Sequence, residues 1–302
     1  MKQTFYSNGK LLITGEYLVL DGANALALPT KFGQDFVVEP SNQSVIFWKS
    51  IDADGTIWFE ANIAFDLIAQ NLKTDNDPLR NTLIEILHTA YIMNPNFLQS
   101  NGYKITTKLT FPRFWGLGTS STLINNIAQW LCIDAYKLLW KSFGGSGYDI
   151  ACAKNNQPII YNIANENPQV SLSNFKPKFI NALYFVYLNH KQNSKAAIAS
   201  YKGKKGNLAA EILMVNAITA AIQKTDDVKE FAQLLDQHES ILSAILELPT
   251  IKQTLFPDFT GTLKSLGAWG GDFILAVSEN DPTEYFRSKG FDTVITYHDM
   301  IL

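Results

Sequence analysis

Pro112-Arg113-Phe114-Trp115-Gly116-Leu117-Gly118-Thr119-Ser120-Ser121 is the stretch on which the reading of this 302-residue chain turns. On its N-terminal side, Tyr103, Ile105, Thr107, Leu109 and Phe111 alternate with Lys104, Thr106, Lys108 and Thr110. A period of two is the mark of a half-buried strand. On its C-terminal side, Leu123, Ile127, Trp130, Leu131 and Leu138 recur at helical spacing, which predicts a helix over 120–141. Thr119 and Ser120 stand at the start of that helix, where hydroxyls cap orphan N–H groups. The stretch is therefore a glycine-rich turn from strand to helix. Glycine lets backbone amides approach a ligand closely, and a helix N-terminus presents N–H groups and a positive dipole end. Such a turn is a ready phosphate cradle. It lacks the Gly-Lys-Ser/Thr ending of a Walker A loop. The same residues also make an ordinary capped turn, and the stretch by itself leaves both readings open.

Composition narrows the field. Hydrophobic residues make up 46% of the chain, enough for a core and too many for global disorder. Charged residues reach only 18%, against about 25% in typical domains. The 25 basic and 28 acidic side chains give a net charge of −3. No cationic surplus is available to neutralise a nucleic-acid backbone, so nucleic acid is not an expected partner. A small anionic substrate needs only a few local donors and stays open. Cys132 and Cys152 are too few for a disulfide framework. His88, His190, His238 and His298 are scattered and show no metal-ligand spacing. Neither a signal-peptide stretch nor a membrane-length apolar run is present. The expectation is a cytoplasmic, reduced globular protein with no membrane partner, monomeric or homodimeric.

The remaining pattern mixes strands and helices without a strict βαβ rhythm, which predicts an α+β fold. Strands are expected at 10–20, 35–39, 44–50, 55–60, 159–161, 182–188, 273–278 and 293–297. Helices are expected at 61–73, 78–92, 207–223, 227–247 and 282–288. The polar, Pro- and Ser-containing stretch 163–181 is read as the boundary between an N-terminal domain, 1–172, and a C-terminal domain, 173–302.

Three further segments carry chemistry-bearing residues. Ser7-Asn8-Gly9-Lys10 runs into an apolar strand that ends in Gly15-Glu16-Tyr17; Lys10 there is either a fixed cation for a transferred phosphate or a surface lysine. Gly145-Ser146-Gly147-Tyr148-Asp149 offers Asp149 as a base or as a helix cap. Leu266-Gly267-Ala268-Trp269-Gly270-Gly271-Asp272 precedes a strand and is either an anion-binding turn or a flexible hairpin.

In this order and spacing, the four segments resemble the motifs of the GHMP kinase superfamily, over nearly the whole chain from Gly9 to about Val277. Gly9–Tyr17 with Gly22 resembles the first motif, Pro112–Ser121 the second, and Gly267–Asp272 the third. The nearest pattern is the phosphomevalonate kinase branch, on Gly15-Glu16-Tyr17, Gly145–Asp149 and Gly270-Gly271-Asp272. The resemblance implies an N-terminal domain like domain 2 of ribosomal protein S5 and a ferredoxin-like C-terminal domain. It implies an ATP-dependent phosphotransferase using Mg²⁺ on a small anionic acceptor, phosphomevalonate or mevalonate, with other small-molecule kinases of the superfamily as alternatives. It implies Lys10 and Asp149 as catalytic residues. Pro112, Gly116, Leu117, Gly118, Thr119, Ser120 and Ser121 are implied to bind nucleotide, with Ser120 also at the metal. Glu16, Tyr17, Ser146, Gly147, Ser194 (in the polar loop 189–195), Gly270, Gly271 and Asp272 are implied to bind substrate. The pattern departs in three places. The usual Gly-Leu-Gly-Ser-Ser-Ala is Gly-Leu-Gly-Thr-Ser-Ser here, which keeps both hydroxyls and changes the packing below them. Where mevalonate kinases carry a Mg²⁺ glutamate, roughly three helical turns before the catalytic aspartate, this chain has Leu138 and no acid nearer than Asp134. Trp115 and Trp269 are bulky where small residues are usual, so a catalytically silent binding protein on the same fold is the alternative of another class.

Overall fold

The alternating stretch 103–111 lies in the first of two sheets in the computed structural model, which describes residues 1–73, 76–192, 194–204 and 206–302, without the side chains at 194, 195 and 204. Among these residues the strands are β1 (Gln3–Leu12), β2 (Ala25–Pro40), β3 (Val45–Ile51), β4 (Ile57–Ala64), β5 (Tyr103–Leu109), β6 (Ile159–Ala164), β7 (Asn167–Leu172), β8 (Leu183–Tyr187), β9 (Thr262–Ser265), β10 (Phe273–Val277) and β11 (Val294–Thr296). The fold is α+β, as the mixed pattern predicts. The chain groups into two compact units, neither of them contiguous. The first is Met1–Gly9, Phe32–Arg113 and Leu117–Lys154; the second is Lys10–Lys31, Phe114–Gly116 and Asn155–Leu302.

In the first unit the strands run in the order β4-β3-β5-β2, with β1 also on β2. β3 and β5 are parallel, and the other pairs along that path are antiparallel. The buried face of β5 is the one alternation selects: Ile105, Thr107 and Leu109 point in, Lys104 and Lys108 out. Phe36, Trp48 and Ile105 on the sheet meet Ile124, Ile127, Trp130 and Leu138 from the helices in one core. Trp130 stands edge-on to Tyr103 at 4.9 Å and tilted against Phe36 at 6.0 Å. Leu138 is fully buried here, so apolar packing occupies the place of the expected glutamate.

The second unit carries β11-β8-β10-β9, every neighbouring pair antiparallel. In chain order this is the 4-1-3-2 arrangement of a split β-α-β motif, with the helices Ala209–Ile222 and Val228–Leu246 between β8 and β9 and Thr283–Ser288 between β10 and β11. It is the ferredoxin-like arrangement expected of the C-terminal part.

Several expected elements shift for identifiable reasons. The strand expected at 10–20 ends at Leu12, because Gly15 (φ 86) and Tyr17 (φ 61) turn the chain and Leu18–Asp21 forms a 3₁₀ turn closed by Gly22. A β-carbon on Gly15 would stand 2.7 Å from Asn24 O, so the turn requires glycine. The helix expected at 61–73 shrinks to Phe65–Ala69, since Asn62 and Ile63 pair with Phe47 and Ile46 in β3. The single helix expected at 120–141 is two, Thr119–Leu131 and Ala135–Ser142. Cys132 ends the first in the left-handed conformation (φ 53), and Asp134 caps the second by accepting from Tyr136 N at 2.8 Å. Cys132 is exposed and Cys152 buried.

Candidate functional site

The helix Thr119–Leu131 begins at Gly118 (φ 103), and no side chain caps it. Its opening hydroxyls divide into two sets. Ser121 Oγ donates to Gly118 O at 2.9 Å, and Thr122 Oγ1 donates to Gln34 Oε1 at 3.0 Å. These two are spent on the fold. Thr119 and Ser120 are half-buried at the mouth of the turn. A buried polar inlay fixes where the helix starts. Asn125 Nδ2 donates to Ser7 Oγ at 2.8 Å, Ser7 Oγ donates to Asn126 Oδ1 at 2.7 Å, and Asn126 Nδ2 donates to Gln34 O at 3.0 Å. Asn125 and Asn126 are fully buried; the Asn126 amide uses both its ends, which specifies one geometry strongly, while Asn125 Oδ1 has no partner among the described residues. The only trace of this inlay in the sequence is a pair of Asn residues inside an apolar helical pattern. In the same unit, Ser146 and Gly147 are buried, and Asp149 lies in the first turn of the helix Tyr148–Lys154, which packs against Thr119–Leu131. The first unit thus carries Thr119–Ser121 and Tyr148–Asp149 on two touching helices, each preceded by a glycine turn.

The second unit gathers pieces of all three motif segments. Gly116 (φ 68) faces Asp272: a β-carbon on Gly116 would meet the Asp272 carboxyl at 2.2–2.6 Å. Lys10 Nζ lies 4.0 Å from where a β-carbon on Gly267 would stand. Asp272 adopts φ 53, donates its N–H to His190 O at 2.7 Å and accepts Leu188 N–H at 2.8 Å. Burial pushes its carboxyl up from the usual range, with Lys10, the Gln192 amide, Lys191 and His190 pulling the other way. Gln192 reaches across the loop to donate to Trp269 O at 3.1 Å, and its side chain fills the space beside Gly271.

One staple joins the first motif to the third, and a second ties the first motif to β9. Trp269 N–H donates to the Tyr17 hydroxyl at 3.0 Å. Lys264 Nζ, fully buried, lies 2.6 Å from Glu16 Oε1 and 3.4 Å from Glu239 Oε2 and donates to Ser265 O. Sequence reasoning missed Lys264 and Glu239 and counted His238 only among scattered histidines. Glu16 faces Lys264 and, at 3.5 Å, His238 Nε2, while Tyr17 packs on Tyr201. Their contacts are thus with the protein, where the resemblance implies substrate. Trp269 turns into the core of this unit, donating its indole N–H to Pro249 O at 3.1 Å, and Trp115 stands edge-on to Phe273 at 5.4 Å. Ser194 opens the helix Ser194–Lys204, but its side chain, with Asn193 of the same expected loop, lies outside the described residues.

The ion cluster has a pH signature. Burial, opposed by Lys264, pushes the Glu16 carboxyl up to about 7, and His238 is held neutral by burial, accepting Gly15 N–H at 2.9 Å. The folded chain therefore holds the Glu16 proton more tightly than the unfolded chain does. The stabilisation from this group is complete below the unfolded carboxyl value and is lost as the pH rises through about 7. Urea unfolding of Glu16→Gln is expected to be flatter between pH 5 and 8 than that of wild type; parallel profiles contradict this assignment.

No family model matches the chain, and no curated protein matches it. Solved structures do. Methanococcus jannaschii mevalonate kinase aligns with a TM-score of 0.68 at 14% identity, over 97% of this chain and 96% of that one. Streptococcus pneumoniae phosphomevalonate kinase, in complex with phosphomevalonate and AMPPNP, aligns at 0.68 and 16% identity over 95% of each chain. The chain has the GHMP kinase fold. Lactococcus lactis galactokinase complexed with galactose shares that fold at 0.69 and 12% identity, over 95% of this chain and 88% of its own. Among the described residues of this GHMP fold, no group of three or more His, Cys, Asp or Glu is placed to hold a metal, and no helix is long and apolar enough to cross a membrane.

Proposed function

We propose that the protein transfers the γ-phosphoryl group of ATP to a small anionic acceptor. The observation that carries this reading is the second unit's assembly of Lys10, Gly116 and Gly267–Asp272, pieces of three segments far apart in sequence, around one loop. The uncapped helix after Gly118 supports it, since amides at a helix N-terminus suit polyphosphate. Backbone amides of 116–121 hold the β- and γ-phosphates. Lys10 neutralises charge on the transferred group. The bond from the γ-phosphorus to the bridging oxygen breaks, its electron pair leaves with ADP, and the acceptor oxygen forms the new bond. Asp149 orients the acceptor and takes its proton when the acceptor is a hydroxyl. Such transfer is mostly positioning and charge stabilisation. Mg²⁺ bound with the nucleotide supplies further neutralisation of phosphate charge, and Ser120 offers it an oxygen of the hard type it prefers.

The concentration of Lys10, Lys191 and His190 around Asp272 favours a phosphorylated acceptor over a neutral sugar. Phosphomevalonate, which the Streptococcus pneumoniae enzyme binds, is the first candidate, followed by mevalonate. ADP release with ATP and a panel of phosphomevalonate, mevalonate, homoserine and galactose tests the reading. Turnover with a phosphorylated acceptor is expected. Nucleotide binding without turnover of any acceptor favours the silent binding protein. Lys10→Ala is expected to lower kcat by roughly 10²–10³; a variant with full turnover removes Lys10 from its assigned role.

A further inference from the structure

Tyr17 is held in a conformation that an L-residue adopts only at a cost. It has φ 61 and ψ −52, and Leu18 N–H donates across it to Glu16 O at 2.7 Å. It is therefore the centre of a γ-turn of the rare, strained hand. Glycine enters that region freely, yet the residue there is a tyrosine. Strain of this kind persists only where the surroundings over-determine it. Here Gly15 N–H donates to His238 Nε2 at 2.9 Å, Val19 N–H donates to Gly15 O at 2.9 Å, and the Tyr17 ring lies on Tyr201 with centroids 5.4 Å apart.

The turn sends consecutive side chains to two points along one hairpin. Glu16 reaches Lys264 on β9 at 2.6 Å, and the Tyr17 hydroxyl accepts Trp269 N–H, in the loop after β9, at 3.0 Å. Trp269 is gripped at each of its polar groups. Besides that N–H, its carbonyl accepts from Gln192 Nε2 at 3.1 Å, and its indole N–H donates to Pro249 O at 3.1 Å. Tyr17 and Trp269 are both buried and share one core cluster. The loop around Trp269 needs such an anchor. Gly267 (φ 69), Gly270 (φ 87) and Asp272 (φ 53) are all left-handed, and glycine-rich backbone has much freedom to lose on ordering. The same loop carries Gly267 next to Lys10 and Asp272 against Gly116. All of these residues belong to the second unit.

We propose that Tyr17 and Trp269 are positioning residues: the strained turn grips Trp269 from within the core, and Trp269 fixes the backbone of 267–272 beside Lys10. The proposal rests on the phosphotransfer reading above. It gives Tyr17, which the resemblance implies at the substrate, a role one step removed from it. Trp269, bulky where small residues are usual, is then the anchor of the loop.

Tyr17→Phe is the informative change. It keeps the ring on Tyr201 and takes away the acceptor of Trp269 N–H. Two readouts are taken on folded protein. The first is amide exchange of ¹⁵N-labelled protein without ligand, read at Asp272, whose N–H is bonded to His190 O and not to Tyr17. Exchange there is expected to be roughly 5–10-fold faster in the variant, the weight of one lost hydrogen bond. The second is kcat/KM with ATP and the acceptor that wild type turns over, expected to fall roughly 10–100-fold as the loop shifts. A merely structural role lowers the urea midpoint and moves neither readout. Tyr103→Phe, which loses a hydroxyl bond to Phe97 O in the first unit, is the control. Unchanged exchange at Asp272 overturns the proposal. So does faster exchange with unchanged kcat/KM, and so does a Tyr103→Phe variant that moves both readouts as far. Wild type that turns over no acceptor overturns the phosphotransfer reading instead, and exchange at Asp272 alone then decides whether Tyr17 holds the loop.

Discussion

Gly116→Ala is expected to bind ADP roughly 100-fold more weakly than wild type, while the chain still folds. Two costs combine. Alanine at φ 68 enters the left-handed region that costs an L-residue about 1–2 kcal/mol. Its β-carbon would also stand 2.2 Å from Asp272 Cγ, a distance that real atoms do not adopt. Asp272 cannot swing away cheaply, because its N–H and its carbonyl are both hydrogen-bonded and its Oδ1 holds Gln192. The loop must move instead, and misplacing binding groups by about 1 Å costs on the order of 100-fold. Gly203→Ala is the matched control, since a β-carbon there meets nothing within 4 Å. Calorimetry with ADP and thermal unfolding of both variants decide the matter. A Gly116→Ala protein with wild-type affinity would show that the loop does not seat phosphate.

Lys264→Met carries the largest expected stability loss, about 3–5 kcal/mol, typical of removing one partner from a buried ion pair. Methionine fills nearly the same volume, so the loss is electrostatic. It leaves the Glu16 and Glu239 carboxyls, both nearly fully buried, without the cation that opposes the cost of burying them, so each must take up a proton or stay as an uncompensated charge. Burial alone would depress the Lys264 ammonium; Glu16 and Glu239 override that and hold it charged. Glu16→Gln combined with Lys264→Met is expected to recover part of the loss, because one stranded charge is gone. Urea unfolding at pH 7.5 measures all three proteins. A Lys264→Met variant within 1 kcal/mol of wild type (about fivefold in the folding constant) would mean that water reaches the cluster.

What the sequence discloses and what it hides follow from range. The strand–glycine turn–helix around Gly116 and Gly118 is legible because its signals lie within about twenty residues of one another. The same holds for β5, whose alternation matches its buried face, and for the helix Pro78–Met93, whose Asp77 cap and Pro78 start stand side by side. The Lys264 cluster is illegible for the opposite reason. His238 and Glu239 sit on the buried side of the helix Val228–Leu246, and all four residues of β9 are buried, so polar residues fall where periodicity predicts apolar ones. Only pairing across 248 positions, Glu16 to Lys264, makes them sensible. The break at Cys132 escapes periodicity because the apolar spacing continues through it. The exposed strand β7 has no alternation to read.

β2 has a consequence for how such a chain could be shortened or recombined. Its first residues, Ala25–Ala27, are zipped to Tyr161–Ile159 in the second unit, and its last, Gln34–Pro40, to Leu109–Tyr103 in the first. Neither unit can be cut out as a cassette, since a fragment ending at Lys154 leaves Ala25–Ala27 without the β6 partner they bond to, and a fragment beginning at Asn155 lacks Lys10 and the Glu16 that neutralises Lys264. A shortened or recombined chain must therefore keep Ala25–Ala27 with Ile159–Tyr161, and Glu16 with Lys264.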